Sequence, residues 1–190
     1  ITSAGGDIST NSAYGQAIGI AAFSINYDVN IDNSSNITAN SPDAGAYGMF
    51  ARASNGSVTI NNDGNLDVDS YYGYATGIYA GSYGDLTITG SGDISAITSG
   101  DYYGYYADAT GIIARNTSFA GGVTIDVSGD IYAGTTYGNA TGIDAYTFVG
   151  YVDITSSGDI DVSTLYGNAI GIRTGRYGYT TIDNSGDINA

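Results

Sequence analysis

With 190 residues, 42% of them hydrophobic, the chain is long enough for one domain or one repeat array and too apolar to belong with disordered sequences. A net charge of -15 and a pI near 4.1 oppose binding to nucleic acid or anionic lipid, both of which repel an acidic surface that no basic patch offsets. All 19 acidic residues are Asp, all 4 basic residues are Arg, and Glu, Lys, His, Cys and Trp are missing, so disulfide and thiol chemistry are excluded. Straight-chain helix formers are scarce, while Gly, Asp, Ser, Thr, Asn and β-branched residues dominate. That balance predicts an all-β chain rich in turns.

The opening "ITSAGGDIST" has neither the basic nor the apolar region of a signal peptide, and no apolar run approaches the roughly eighteen residues of a membrane span. A targeting segment already removed, or a piece of a longer chain, is expected. From residue 8 onward the same three strand signals recur. Residues 8–36 hold "IST", "AIGIAA" and "VNI"; residues 37–65 hold "ITA", "AYGMFA" and "VTI"; residues 66–93 hold "LDV", "ATGIYA" and "LTI". Residues 94–130 hold "ISA", "ATGIIA" and "VTI", with extra residues inserted around "SGDYYGYYAD" and near "NTSFAGG". Residues 131–159 hold "IYA", "ATGIDA" and "VDI", residues 160–187 hold "IDV", "AIGIRT" and "TTI", and "INA" opens a seventh turn.

The corner before each first strand gives the column Asp7, Asn36, Asn65, Asp93, Asp130, Asp159 and Asp187, spaced by 29, 29, 28, 37, 29 and 28 residues. Three short strands and three turns per repeat make one rung of a parallel β-solenoid of about six rungs of 28–29 residues, stacked at roughly 4.8 Å. Ile, Val, Leu and Ala then fill a narrow core, each buried Ile or Val contributing roughly 1.5–3 kcal/mol, and stability becomes a property of neighbouring rungs. Gly92, Gly129, Gly158 and Gly186 are expected to supply a positive φ at the corner before the first strand. Gly56, Gly84, Gly121, Gly150 and Gly178 are expected to do so before the third. Tyr14, Tyr72, Tyr106, Tyr137 and Tyr166 form a further column.

The rhythm GDI-x-A, YG-x-A-x-GI-x-A, V-T-I-x-NSGDI resembles the passenger regions of bacterial autotransporters and related large β-helical surface proteins. The resemblance implies a secreted or surface-exposed protein with a role in adhesion, matrix or filament structure. The chain opens and closes on array-like segments without a polar cap, which leaves two expectations: a longer array, or end-to-end stacking of chains into a filament.

Candidate sites divide between competing readings. Asp93, Asp130, Asp159 and Asp187 on adjacent rungs suit either calcium or hydrogen bonding within their own turns, which Asn36 and Asn65 would serve as well. Thr59, Thr87, Thr124 and Thr181 form an outward hydroxyl column that Asn30 and Asp153 interrupt. Tyr71, Tyr72, Tyr79, Tyr102, Tyr103, Tyr105 and Tyr132 are suited to stacking on sugars, and the Tyr102–Tyr106 insertion is the most individual loop. Arg52, Arg115, Arg173 and Arg176 are the only bases, the last two in one corner region. Since the outer columns repeat, no catalytic, cofactor or metal residue is assigned. The leading expectation is a non-catalytic, adhesive rod or fibre protein. A module binding glycan or host protein through tyrosine-rich faces, and a polysaccharide-active β-helix enzyme, are the alternatives.

Overall fold

A computed structural model describes residues 1–100 and 107–190, and of Arg176 and Tyr177 the backbone alone. The described residues form a parallel β-solenoid of about six turns without a helix. Face one is a seven-stranded sheet of β2 (Ile8–Asn11), β5 (Ile37–Ser41), β8 (Leu66–Ser70), β11 (Ile94–Thr98), β14 (Ile131–Thr135), β16 (Ile160–Thr164) and β18 (Ile188–Asn189). Face two stacks β3 (Ala17–Ser24), β6 (Ala46–Ala53), β9 (Ala75–Ser82) and β12 (Ala109–Asn116). Face three stacks β1 (Thr2–Ser3), β4 (Val29–Asn33), β7 (Val58–Asn62), β10 (Leu86–Gly90) and β13 (Val123–Val127).

Two strands, β15 (Ala140–Ser156) and β17 (Ala169–Asn184), run from face two into face three without a break and join both into one 11-stranded sheet. Two details therefore differ from the expected three short, separate strands per rung. Face-two strands are eight residues long, because alternation continues past the A-x-G-I-x-A core into an inward Ser, Ala or Asn. In the last two coils the corner after face two is absorbed into the ladder, with a register shift between Tyr146 and Val149 and a positive φ of 149° at Gly150.

Register joins like to like. Val29, Val58, Leu86, Val123 and Val152 are successive partners on face three, as are Ile31, Ile60, Ile88, Ile125 and Ile154. On face one the column runs Ile8, Ile37, Leu66, Ile94, Ile131, Ile160, Ile188. Period-2 alternation puts these side chains inside, where Ile37, Ile60, Ile88, Ile125 and Ile131 are almost wholly buried. Polar corners are closed by hydroxyls: Ser70 Oγ donates to Ala44 O at 2.8 Å and accepts from Gly73 N–H at 2.9 Å, and Ser41, Thr135 and Thr164 do the same work. Each hydroxyl thereby answers two backbone groups that the corner would otherwise leave unpaired.

The glycine expectation needs correction. Among the described residues a positive φ occurs at Gly5, Gly90 and Gly150, so of the nine corner glycines Gly150 alone behaves as expected. At Gly92, Gly129, Gly158 and Gly186 a Cβ would instead run into the carbonyl of the rung before, at Gly64, Gly92, Gly129 and Gly158 respectively. These corners use glycine for the close approach of stacked backbones. In the A-x-G-I column the reason is different again. A Cβ on Gly77 would overlap Ile94 Cγ2 and lie 2.6 Å from Gly111 O, so this glycine lets face two pack down onto face one.

Candidate functional site

The Asp/Asn corner forms a hydrogen-bonded ladder between rungs. Asp93 Oδ1 accepts from Asp130 N–H at 3.0 Å, Asp130 Oδ1 from Asp159 N–H at 2.9 Å, and Asp159 Oδ1 from Asp187 N–H at 2.9 Å. Asn36 and Asn65 make the same bond through their side-chain oxygens, to Asn65 N–H at 3.1 Å and Asp93 N–H at 3.0 Å. The carboxylates therefore cap the next rung and not their own turns, the latter being one of the two readings the sequence left open. This geometry explains why Asn substitutes, since only an acceptor oxygen is required. Among the described residues no three acidic side chains converge on a point that could hold a metal ion. Beside this ladder, Asp67 and Asp69 project from β8, and partial burial together with the charge of Asp67 raises the pKa of Asp69.

Thr59, Thr87 and Thr124 are register partners on face three, and Asp153 separates Thr124 from Thr181, as the sequence order requires. Tyr137 stacks on Tyr166 at 5.1 Å with an 11° interplanar angle, and Tyr71 meets Tyr72 edge-on at 4.5 Å. Tyr132 pairs through its hydroxyl with Ser163 Oγ at 3.1 Å. The Tyr102–Tyr106 loop lies outside the described residues.

The outer side of face two is where the rungs stop repeating. The residue after Gly-Ile/Met is in turn Ala21, Phe50, Tyr79, Ile113, Asp144 and Arg173, and two positions on it is Phe23, Arg52, Gly81, Arg115, Tyr146 and Gly175. On the early rungs this gives a ring cluster. Phe50 stacks on Tyr79 at 4.7 Å and 11°, Phe23 lies 5.1 Å from Phe50, and Tyr47 bridges Phe50 and Tyr74 at 5.1 and 5.2 Å. Burial and the hydrogen bond with Tyr74 push the Tyr47 hydroxyl pKa well above that of an ordinary tyrosine.

On the later rungs the same face carries charge. Asp144 is 3% exposed and takes Arg173 through Nε at 3.1 Å and Nη2 at 2.7 Å, while Arg115 Nη2 bonds the same carboxylate. These bonds to Asp144 raise the pKa of Arg173 further. Arg115 also sits over the Tyr146 ring, 5.9 Å from its centroid. Arg52 stands two rungs before Arg115 on the same line and has no hydrogen-bond or ion-pair partner among the described residues.

Among the described side chains, the outward positions of face two thus gather Arg52, Arg115 and Arg173 with one aspartate. That is a local excess of positive charge on a chain of net charge -15, where composition alone had offered no basic patch. Part of the signal was present in the sequence: Asp144 and Arg173 are 29 residues apart, one rung length, and pair in register, while Arg115 lies two residues beyond Ile113, the register partner of Asp144. Phe23, Tyr47, Phe50 and Tyr74 also belong to this surface, and the shared offset from the A-x-G-I-x-A column would have placed them there. No family model, curated protein or solved structure matches the chain.

Proposed function

We propose that this chain is a non-catalytic rod segment of a bacterial cell-surface or extracellular-matrix protein, adhesive in role and built to assemble into rods or fibres. The observation that carries the reading is the contrast between an interior and corners that repeat rung after rung and one outer face that does not. A stack of this kind supplies a stiff support, and specificity is left to its exterior. The autotransporter-like rhythm of the sequence favours export, and hence a location outside the cell. Among the described residues the one buried carboxylate of face two is held between two guanidinia, and no second carboxylate stands on the outward positions of the face-two part of these strands to act beside it, which favours adhesion over hydrolysis.

A second reading, a glycan-binding module, is favoured by the stacked rings of Phe50 and Tyr79 beside Arg52. The test is attachment of the purified protein to cells and to immobilised glycans, combined with negative-stain microscopy and incubation with a panel of polysaccharides. Attachment with rods in the images and intact polysaccharides supports the proposal. Chain cleavage of any polysaccharide overturns its non-catalytic part, and failure to attach to any surface overturns adhesion.

A further inference from the structure

A slot opens on face two where Gly81 interrupts the line from Arg52 to Arg115. Register makes Gly81 the direct partner of both arginines, so the two guanidinium-bearing strands stand two rungs apart, roughly 9.6 Å at a ladder spacing of about 4.8 Å. The slot measures about 190 Å3, with Gly81 as floor, Arg52 and Arg115 as sides, Tyr79 at one end and Ser54 and Thr117 at the other. Nothing in the backbone demands glycine here. A Cβ at position 81 would have ordinary contacts with the Tyr79 ring at 3.6 Å and Arg52 Cγ at 3.8 Å, and open space beyond. The missing side chain creates room on the outside of the rod, unlike Gly77 four residues earlier, whose missing side chain is required inside.

We propose that this slot binds an acidic sugar residue, its carboxylate or sulfate group lying between Arg52 and Arg115 and its C–H face against Tyr79. The proposal rests on the glycan-binding reading and names the ligand class and the place. Guanidinium forks match the oxygens of carboxylate and sulfate groups, and Arg52 has no competing carboxylate among the described residues. Arg115 is fixed by Asp144 and Tyr146, but Asp144 is shared with Arg173, so one carboxylate faces two cations and positive charge is left over. Tyr79, backed by Phe50, offers a rigid ring of the kind on which a pyranose C–H face packs. Asp85 and Asp108 stand in the corners on either side of face two, and Asp108 acts on Arg173; at physiological salt a screening length of about 8 Å weakens the repulsion of more distant carboxylates.

Calorimetric titration with oligogalacturonate, a sulfated galactan oligosaccharide and a neutral galactan oligosaccharide tests this in three variants. Arg52→Ala leaves no partner behind, Arg115→Ala leaves Asp144 paired with Arg173, and Gly81→Val fills the slot; circular dichroism checks that all three remain folded. The expected result is binding of one or both acidic oligosaccharides with at least tenfold loss in each variant, weakening as salt rises; which acidic arm binds identifies the acid group. Acidic binding unchanged in the variants, or neutral binding equal to acidic, overturns the slot while the glycan-binding reading stands. No binding in any arm overturns both.

Discussion

Two outer surfaces of the same rod are built on the same repeat and behave in opposite ways. At the Asp/Asn corner Asn36, Asn65, Asp93, Asp130 and Asp159 each present an acceptor oxygen that takes the backbone N–H of the following rung, so the column is part of the fold. On face two the equivalent columns pass from Ala to Phe to Tyr to Ile to Asp to Arg, and the side chains engage one another across rungs or remain open. A repeated residue on a solenoid exterior therefore indicates an inter-rung bond, and a changing one indicates a surface released from that duty.

The sharpest way to break the comparison uses the two glycines of β9. Gly77→Val places its side chain against Ile94 and the Gly111 carbonyl and should cost about 3 kcal/mol or prevent folding, read from urea unfolding. Gly81→Val should shift the same midpoint by less than about 0.5 kcal/mol. Equal effects would mean that the inner and outer sides of the strand are not distinguished as described.

Asp144→Ala removes the acceptor shared by Arg115 and Arg173 and should cost about 2 kcal/mol. The fully buried range is discounted because both guanidinium side chains are partly exposed, 36% and 52%. The corner ladder predicts a smaller loss. Asp130→Ala should cost about 1 kcal/mol through the bond to Asp159 N–H, whereas Asp130→Asn should match the wild type and a chelator should leave both midpoints unmoved. A chelator that lowers the wild-type midpoint alone would restore the calcium reading of Asp93, Asp130, Asp159 and Asp187.

The smallest effect concerns Asp69, whose pKa burial and Asp67 raise above that of the unfolded chain. The folded state then binds its proton more tightly, so stability falls as pH rises through the interval between the unfolded and the raised folded value. Asp69→Asn should stabilise slightly above that interval and not at all below it, in thermal unfolding measured across acid pH.

The interior was legible because its physics is local and repeated: Ile or Val at every second position, one residue type per column, and rung lengths marked by the GDI corner. Strand lengths were less so, since the Ser, Ala or Asn that ends each face-two strand carries no apolar signal. The corner glycines were assigned to backbone torsion because isolated turns commonly need it. In a parallel stack the neighbouring rung's carbonyl is the nearer constraint, and it becomes visible only once rungs are superposed. The arginine cluster as a whole was not legible, because only Arg173 is in register with Asp144: Arg115 pairs with Tyr146 and reaches diagonally to the next rung's carboxylate.

Because each inner column joins a residue to its own kind, the boundary between two rungs is chemically interchangeable with the next one along. Duplicating residues 131–159 in frame would add one new junction, with Ile on Ile, Ala on Ala and Asp on Asp, and deleting them would leave one, with Ile94 against Ile160 and Ala96 against Val162. Unequal recombination within such a gene thus changes how far the molecule reaches without altering how it folds.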